Sequence, residues 1–225
     1  KGLSMLGANL YVYDGNKQSA EKLKEVENIK AEYYFGTDEI EKINMDCLDL
    51  AIKSPGISYE VPIIKRLKEK NVRVVSDIEA AYMVTDAPIV SITGTNGKTT
   101  TTALVGEIVK ESKKSCKVTG NIGFGMFYDA VSSHKGDILV AEVSSFQLAG
   151  TSEYKPHISI ITNITPDHLD YHHTMENYVE AKFKNVVNQD ESDYAILNYE
   201  DEIIMNFSSK IRAKKIFFSS ERILD

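Results

Sequence analysis

The stretch Ile89-Val90-Ser91-Ile92-Thr93-Gly94-Thr95-Asn96-Gly97-Lys98-Thr99-Thr100 decides how this chain is read. It predicts a short buried strand, a tight glycine turn and the start of a helix. That order gathers backbone N–H groups and a helix N-terminus around one point, which suits a phosphate. Lys98 adds a point charge for β/γ-phosphates, and Thr99 a hydroxyl for Mg²⁺. With Gly94, Thr95, Asn96, Gly97 and Thr100 they make up the candidate nucleotide loop. The commoner form of this motif has four residues between its glycines. Here Gly94 and Gly97 enclose only Thr95 and Asn96.

Working outward, the chain has 225 residues, room for one large domain or two smaller ones. Hydrophobic residues are 42% and charged residues 26%, ordinary for a soluble globular protein. A net charge of -7 argues against a general nucleic-acid or membrane surface, though not against a local cationic pocket. Cys47 and Cys116 stand alone and are expected as free, buried thiols in a reducing compartment. No apolar run approaches the ~18 residues of a membrane helix, and no signal peptide opens the sequence. The expected location is the cytoplasm.

The periodicity predicts an α/β protein in two units. Residues 1–86 read as a Rossmann-like N-terminal domain. Its expected strands are 10–13, 32–35, 47–52 and 72–75, sharing one parallel sheet, with helices over 20–29, 62–69 and 78–83. The polar turn Thr85-Asp86-Ala87-Pro88 marks the expected boundary. Residues 87–225 read as a P-loop-type, mostly parallel open sheet. Its expected helices cover 100–112, 126–132, 178–188 and 202–207. Strands are expected over 116–119, 138–143, 158–163, 194–197 and 215–218. The late start and the end on a strand suggest a fragment of a longer protein.

In open α/β sheets, ligands sit beyond the carboxyl ends of the strands. Three more polar clusters fall at such ends: Gly120-Asn121-Ile122-Gly123, Glu142-Val143-Ser144-Ser145-Phe146-Gln147 and Asn163-Ile164-Thr165-Pro166-Asp167-His168. Glu142 closes an apolar strand. A carboxylate there is expensive unless paired or metal-bound, and it occupies the place of an acidic Mg²⁺ residue in NTPases. His168 follows a proline-fixed turn and suits a metal or a phosphate. His134, His157, His172 and His173 lack that setting and read as surface or packing residues. Tyr171 and Tyr178 read as core or cover. Asp14, after the first strand, suits a ribose hydroxyl or a plain turn.

Taken together, these motifs resemble the Mur ligase family, whose central domain is shared with folylpolyglutamate synthetase. Gly94–Thr100 is similar to its short phosphate loop. The three clusters, continuing to Leu148 and Asp170, resemble its D-glutamate-adding members. The resemblance runs through nearly all of residues 87–225 and more loosely through 1–86, as a UDP-substrate-binding domain.

It implies an ATP-dependent amide ligase of peptidoglycan synthesis, joining D-glutamate to UDP-N-acetylmuramoyl-L-alanine through an acyl phosphate. It implies two Mg²⁺ ions, the first on Thr99 and Glu142. The second is on His168 and on Lys182, carbamylated by CO2. Lys98, His168 and Lys182 are then catalytic. Asn121 orients the substrate, and Ser144 assists at the metal site. Asp14 and Ser54-Pro55-Gly56 face the UDP-sugar. The family's first N-terminal strand and its C-terminal domain are missing, so little turnover is expected of this chain by itself. A monomer is expected, with no nucleic acid or membrane partner. The alternatives are a folylpolyglutamate synthetase, a P-loop ATPase or switch, and a non-catalytic nucleotide-binding module.

Overall fold

The computed structural model describes residues 1–26, 29–123 and 125–224, the side chains of 22–26 apart. Contacts divide the chain into two units, Lys1–Ala51 with Ile57–Val74, and Ile52–Gly56 with Val75–Asp225.

In the first unit, α1 (Gly2–Met5) precedes β1 (Tyr11–Asp14), which pairs in parallel with β2 (Glu32–Phe35). The helix expected over 20–29 is a 3₁₀ helix that begins earlier, Lys17–Val26, while Glu27 and Asn28 lie outside the described residues. Asp14 and Asn16 side chains accept the N–H groups of Asn16 and Gln18, which winds the chain into tight turns at once. Thr37–Lys42 and Met45–Cys47 are also 3₁₀ helices, too short to show a period. Asn44 caps the second of them, so β3 starts late and spans Leu50–Lys53. Helix α2 (Pro62–Glu69) opens on proline and buries Ile63, Ile64 and Leu67 against Ile40, Ile43, Met45 and Val72.

The single parallel sheet expected before residue 86 is absent among the described residues. There are two separate two-stranded sheets, β1-β2, and β3 with β4 (Arg73–Ser76). Neither β1 nor β2 has a ladder partner in β3 or β4, so each pair forms its own ribbon. Cys47 and Cys116 are free, but Cys47 is exposed and Cys116 half-buried rather than buried.

The second unit opens with α3 (Asp77–Val84), whose Ile78 and Ala81 join its core; the Thr85–Pro88 turn follows within the unit. Then come β5 (Ile89–Thr93), α4 (Lys98–Glu111), β6 (Ser115–Gly120), α5 (Met126–Val131) and β7 (Asp137–Glu142). After these, α6 (Ser145–Ala149), β8 (Ile158–Ile161), α7 (Leu169–His172) and α8 (Met175–Phe183) lead to β9 (Tyr194–Asn198), α9 (Glu202–Ser208) and β10 (Lys214–Phe218). The six strands run parallel in the order β10-β9-β8-β5-β7-β6.

The central strands β5, β7 and β8 are covered on both faces, which is why they read as apolar runs rather than alternating ones. Val90, Ile92, Val140 and Ile160 meet Val105 and Val109 of α4. On the other face Ile89, Leu139 and Ala141 meet Met126, Ala130 and Leu148, and Ile161, Ala195 and Leu197 meet Tyr178, Phe183 and Ile204. Each Val, Leu, Ile, Met or Phe among them, fully buried, contributes about 1.5–3 kcal/mol relative to exposure. Helix α8 begins three residues before the expected 178, because the Thr174 side chain accepts the Asn177 N–H and caps it there. Among the described residues no helix is long and apolar enough to cross a membrane.

Candidate functional site

The strand order puts β5 between β7 and β8, so the segments that follow these three strands meet at one edge. Gly94 leaves β5 at φ 149°, and a Cβ there would lie 1.9 Å from the Thr162 hydroxyl oxygen. Only glycine lets the chain pass that close. Gly97, at φ 81°, is the N-cap of α4 in the left-handed region. The first-turn N–H groups of α4 have no intrahelical carbonyl and carry the positive end of the helix dipole. The turn is therefore a cradle for an anion, with Thr99 and Thr100 exposed on that first turn.

Two lysines converge on the mouth of this cradle. Lys98 Nζ donates to the carbonyls of Gly94 (3.0 Å) and Thr95 (2.9 Å). Lys182 Nζ, reaching in from α8, donates to the same Gly94 carbonyl at 2.7 Å. Lys182 is only 2% exposed. Burial, aided by the Lys98 charge and opposed by Asp167, pushes its amine down to about 7. One turn away, Tyr178 stands 4.7 Å from that amine at its ring centroid, and its hydroxyl meets Thr95 Oγ1 at 2.9 Å. Tyr178 is thus core, as its apolar setting suggested, and also a bond to the loop. Its four-residue spacing from Lys182 was the signal for that second role.

Glu142 ends β7 directly opposite Ile92 in the ladder, one strand from where the loop departs. It is 2% exposed. Asn121 Nδ2 donates to its Oε1 at 3.0 Å, while Oε2 is buried with no hydrogen-bond partner. An unpaired carboxyl oxygen in that position fits a hard cation. Among the described residues no three His, Cys, Asp or Glu side chains cluster closely enough to hold a metal by themselves. An ion on Glu142 would take its other ligands from hydroxyl, water or phosphate oxygens, as Mg²⁺ does in nucleotide sites.

His168 caps α7 in the left-handed region, φ 52°, and is exposed. Its Nε2 lies 3.4 Å from Asp167, and its ring rests 4.7 Å from Phe146 at the centroids. His172, by contrast, is buried, bonded through Nε2 to Ser145 at 3.0 Å, and held below its usual range by burial. Ser144 is engaged in a capping box with Gln147, whose amide also donates to Asp77 at 2.9 Å. Ser54 and Gly56 lie in the turn after β3, where Lys53 donates to the Ser54 and Pro55 carbonyls. Asp14 belongs to the first unit and accepts from Asn16 N and Ser19 Oγ. Beside the loop a cavity of about 530 Å³ is lined by Asn96, Gly97, Thr101, Ile160, Ile196 and Phe218.

Comparison with known proteins adds to this geometry. A family model described as the Mur ligase middle domain matches residues 92–223. The chain is 42% identical over 228 residues to the UDP-N-acetylmuramoylalanine--D-glutamate ligase of Alkaliphilus oremlandii, covering 100% of this chain and 50% of that protein. It spans about half the length of the curated relatives it matches. In fold it is similar to a UDP-N-acetylmuramate:L-alanyl-gamma-D-glutamyl-meso-diaminopimelate ligase from Neisseria meningitides. The TM-score is 0.62 at 12% identity, over 95% of this chain and 71% of that one. A MurF ligase from Thermotoga maritima, solved in complex with ADP, gives a TM-score of 0.51 at 18% identity, over 80% and 50%.

Proposed function

The chain belongs to the Mur ligase family, and on that premise we propose that it carries the nucleotide site of an ATP-dependent ligase joining D-glutamate to UDP-N-acetylmuramoyl-L-alanine. The observation that carries this reading is the meeting of Lys98 and Lys182 on one carbonyl at the loop mouth. An NTPase needs only the first of these lysines. A buried second amine held near neutrality is available to react with CO2, because only the uncharged amine does so.

In the proposed reaction the L-alanine carboxylate attacks the γ-phosphate of ATP. The D-glutamate amine then displaces phosphate from the acyl phosphate. The first step brings two anions together. At ~4 Å and an effective dielectric of ~20, unit charges repel by about 4 kcal/mol. Lys98 offsets part of this, moving from its loop carbonyls to the phosphates. The first-turn N–H groups of α4 hold the phosphates, and Asn121, fixed by Glu142, presents its amide to the substrate. Thr99 and Glu142 are the proposed holders of one Mg²⁺, and His168 with carbamylated Lys182 of a second. Bound there, the ions supply charge neutralisation. Ser144, two residues after Glu142 and engaged in the cap of α6, is proposed to assist at the metal site. Asp14, Ser54 and Gly56 are the proposed contacts to the UDP-sugar, with residues 1–86 as its domain and 87–225 as that of ATP.

Phosphate release by the complete gene product carrying this chain tests the proposal. Release is expected only with UDP-N-acetylmuramoyl-L-alanine, D-glutamate and ATP all present. Sustained release from ATP alone identifies an ATPase instead, and release with a folate and L-glutamate identifies a folylpolyglutamate synthetase.

A further inference from the structure

The two residues enclosed by the loop glycines are held from outside the loop. Asn96 N–H donates to Asn163 Oδ1 at 2.9 Å, and Asn163 Nδ2 donates back to the Asn96 carbonyl at 3.0 Å. The Thr162 hydroxyl donates to that same carbonyl at 2.7 Å. Thr95 N–H donates to the Asn163 carbonyl at 2.8 Å, and its hydroxyl accepts the Thr165 N–H at 2.9 Å. The bonds to Asn96 also settle which way the Asn163 amide points. Turned over, it would set NH₂ against N–H and C=O against C=O.

A glycine-flanked dipeptide has wide backbone freedom in a free loop. Here that freedom is limited from two sides: Lys98 of α4 bonds the Thr95 carbonyl, while the Asn96 peptide is held on the segment after β8, by Asn163 at its N–H and by Asn163 and Thr162 at its carbonyl. We propose that Asn163 is a positioning residue that holds the Asn96 peptide in its phosphate-accepting shape before nucleotide arrives. Pre-ordering a loop raises affinity by sparing the ordering entropy at the moment of binding. The same segment is bonded to the loop again at Thr165, which exchanges hydrogen bonds with the Thr95 hydroxyl. This inference rests on the reading of the site as a nucleotide site.

The test is calorimetric titration of Mg-ADP into the complete gene product, as wild type, Asn163→Ala, Asn163→Leu and Asn188→Ala. Leucine keeps the shape of asparagine without its bonds. Alanine, at a half-buried position, relieves any misfit. Asn188 makes the same kind of clamp elsewhere, donating to the Ser152 and Tyr154 carbonyls, and serves as the structural control. Both Asn163 variants are expected to bind Mg-ADP roughly tenfold more weakly, the scale of one or two lost hydrogen bonds. Asn188→Ala is expected to melt earlier yet bind as wild type does. If the Asn163 variants melt earlier but bind like wild type, Asn163 is a brace of the fold and the inference falls. If wild type itself does not bind Mg-ADP, the nucleotide reading fails first.

Discussion

Replacing Lys182 with methionine keeps an unbranched stem and removes the buried amine. The folded amine titrates at about 7, against 10.5 for an open chain. Between those values the unfolded state binds more protons than the folded one, so stability rises with pH across that window. The full slope is about 1.4 kcal/mol per pH unit for one proton. Because the folded amine is half protonated near pH 7, integration from pH 7 to pH 9 gives a gain of about 2 kcal/mol for wild type. Lys182→Met loses this gain. The substitution strands no acceptor, since Lys98 still donates to the Gly94 carbonyl. Urea unfolding at pH 7, 8 and 9, in CO2-free buffers so that no carbamate forms, measures the difference between the two proteins. A difference that stays constant within about 0.5 kcal/mol over that range refutes a desolvated, depressed amine.

Three other perturbations have definite signs. Glu142→Gln replaces the unpaired buried carboxylate oxygen with an equally unpaired NH₂, so thermal stability should change by less than about 1 kcal/mol while Mg-ADP affinity falls tenfold or more; a calorimetric pair of measurements checks both. Gly94→Ala drives a methyl group into Thr162 and should cost about 2–3 kcal/mol in urea unfolding, with nucleotide binding lost. Glu79→Ala strips a buried carboxylate from the Ser152 hydroxyl and the N–H groups of Glu153 and Tyr154. A loss of about 3 kcal/mol is expected, with Mg-ADP binding by the folded protein unchanged.

What could be read from the sequence depended on how local the cause was. The parallel central sheet was legible because its middle strands β5, β7 and β8 are buried on both faces and the strands are separated by helical periods. The Gly94–Thr100 turn and the position of Glu142 at the end of β7 were legible because glycine turns and polar residues at strand ends are local signals. The pairing of Lys182 with the Gly94 carbonyl was not, because it joins residues far apart in the chain. From the sequence alone that lysine was a charge on an amphipathic helix, and only the family resemblance singled it out. The Asn163 clamp was missed for the same reason: an amide matched to a peptide leaves no pattern in one dimension. In the first unit, hydrophobic period failed where Asp14, Asn16 and Asn44 bond to nearby N–H groups and turn helices and strand starts into 3₁₀ turns.

The central place of β5 bears on how the molecule comes to exist during synthesis. Its Val90 is flanked by Val140 on one side and Ile158 on the other, both made long after it. A nascent chain that has emerged only as far as β6 therefore holds the glycine turn but neither of its walls. Closing such distant pairings is slow, and until then Val90 and Ile92 present unpaired strand edges to other chains. Slow addition of β8 should show up as aggregation of the newborn protein before it shows up as any defect in the finished one.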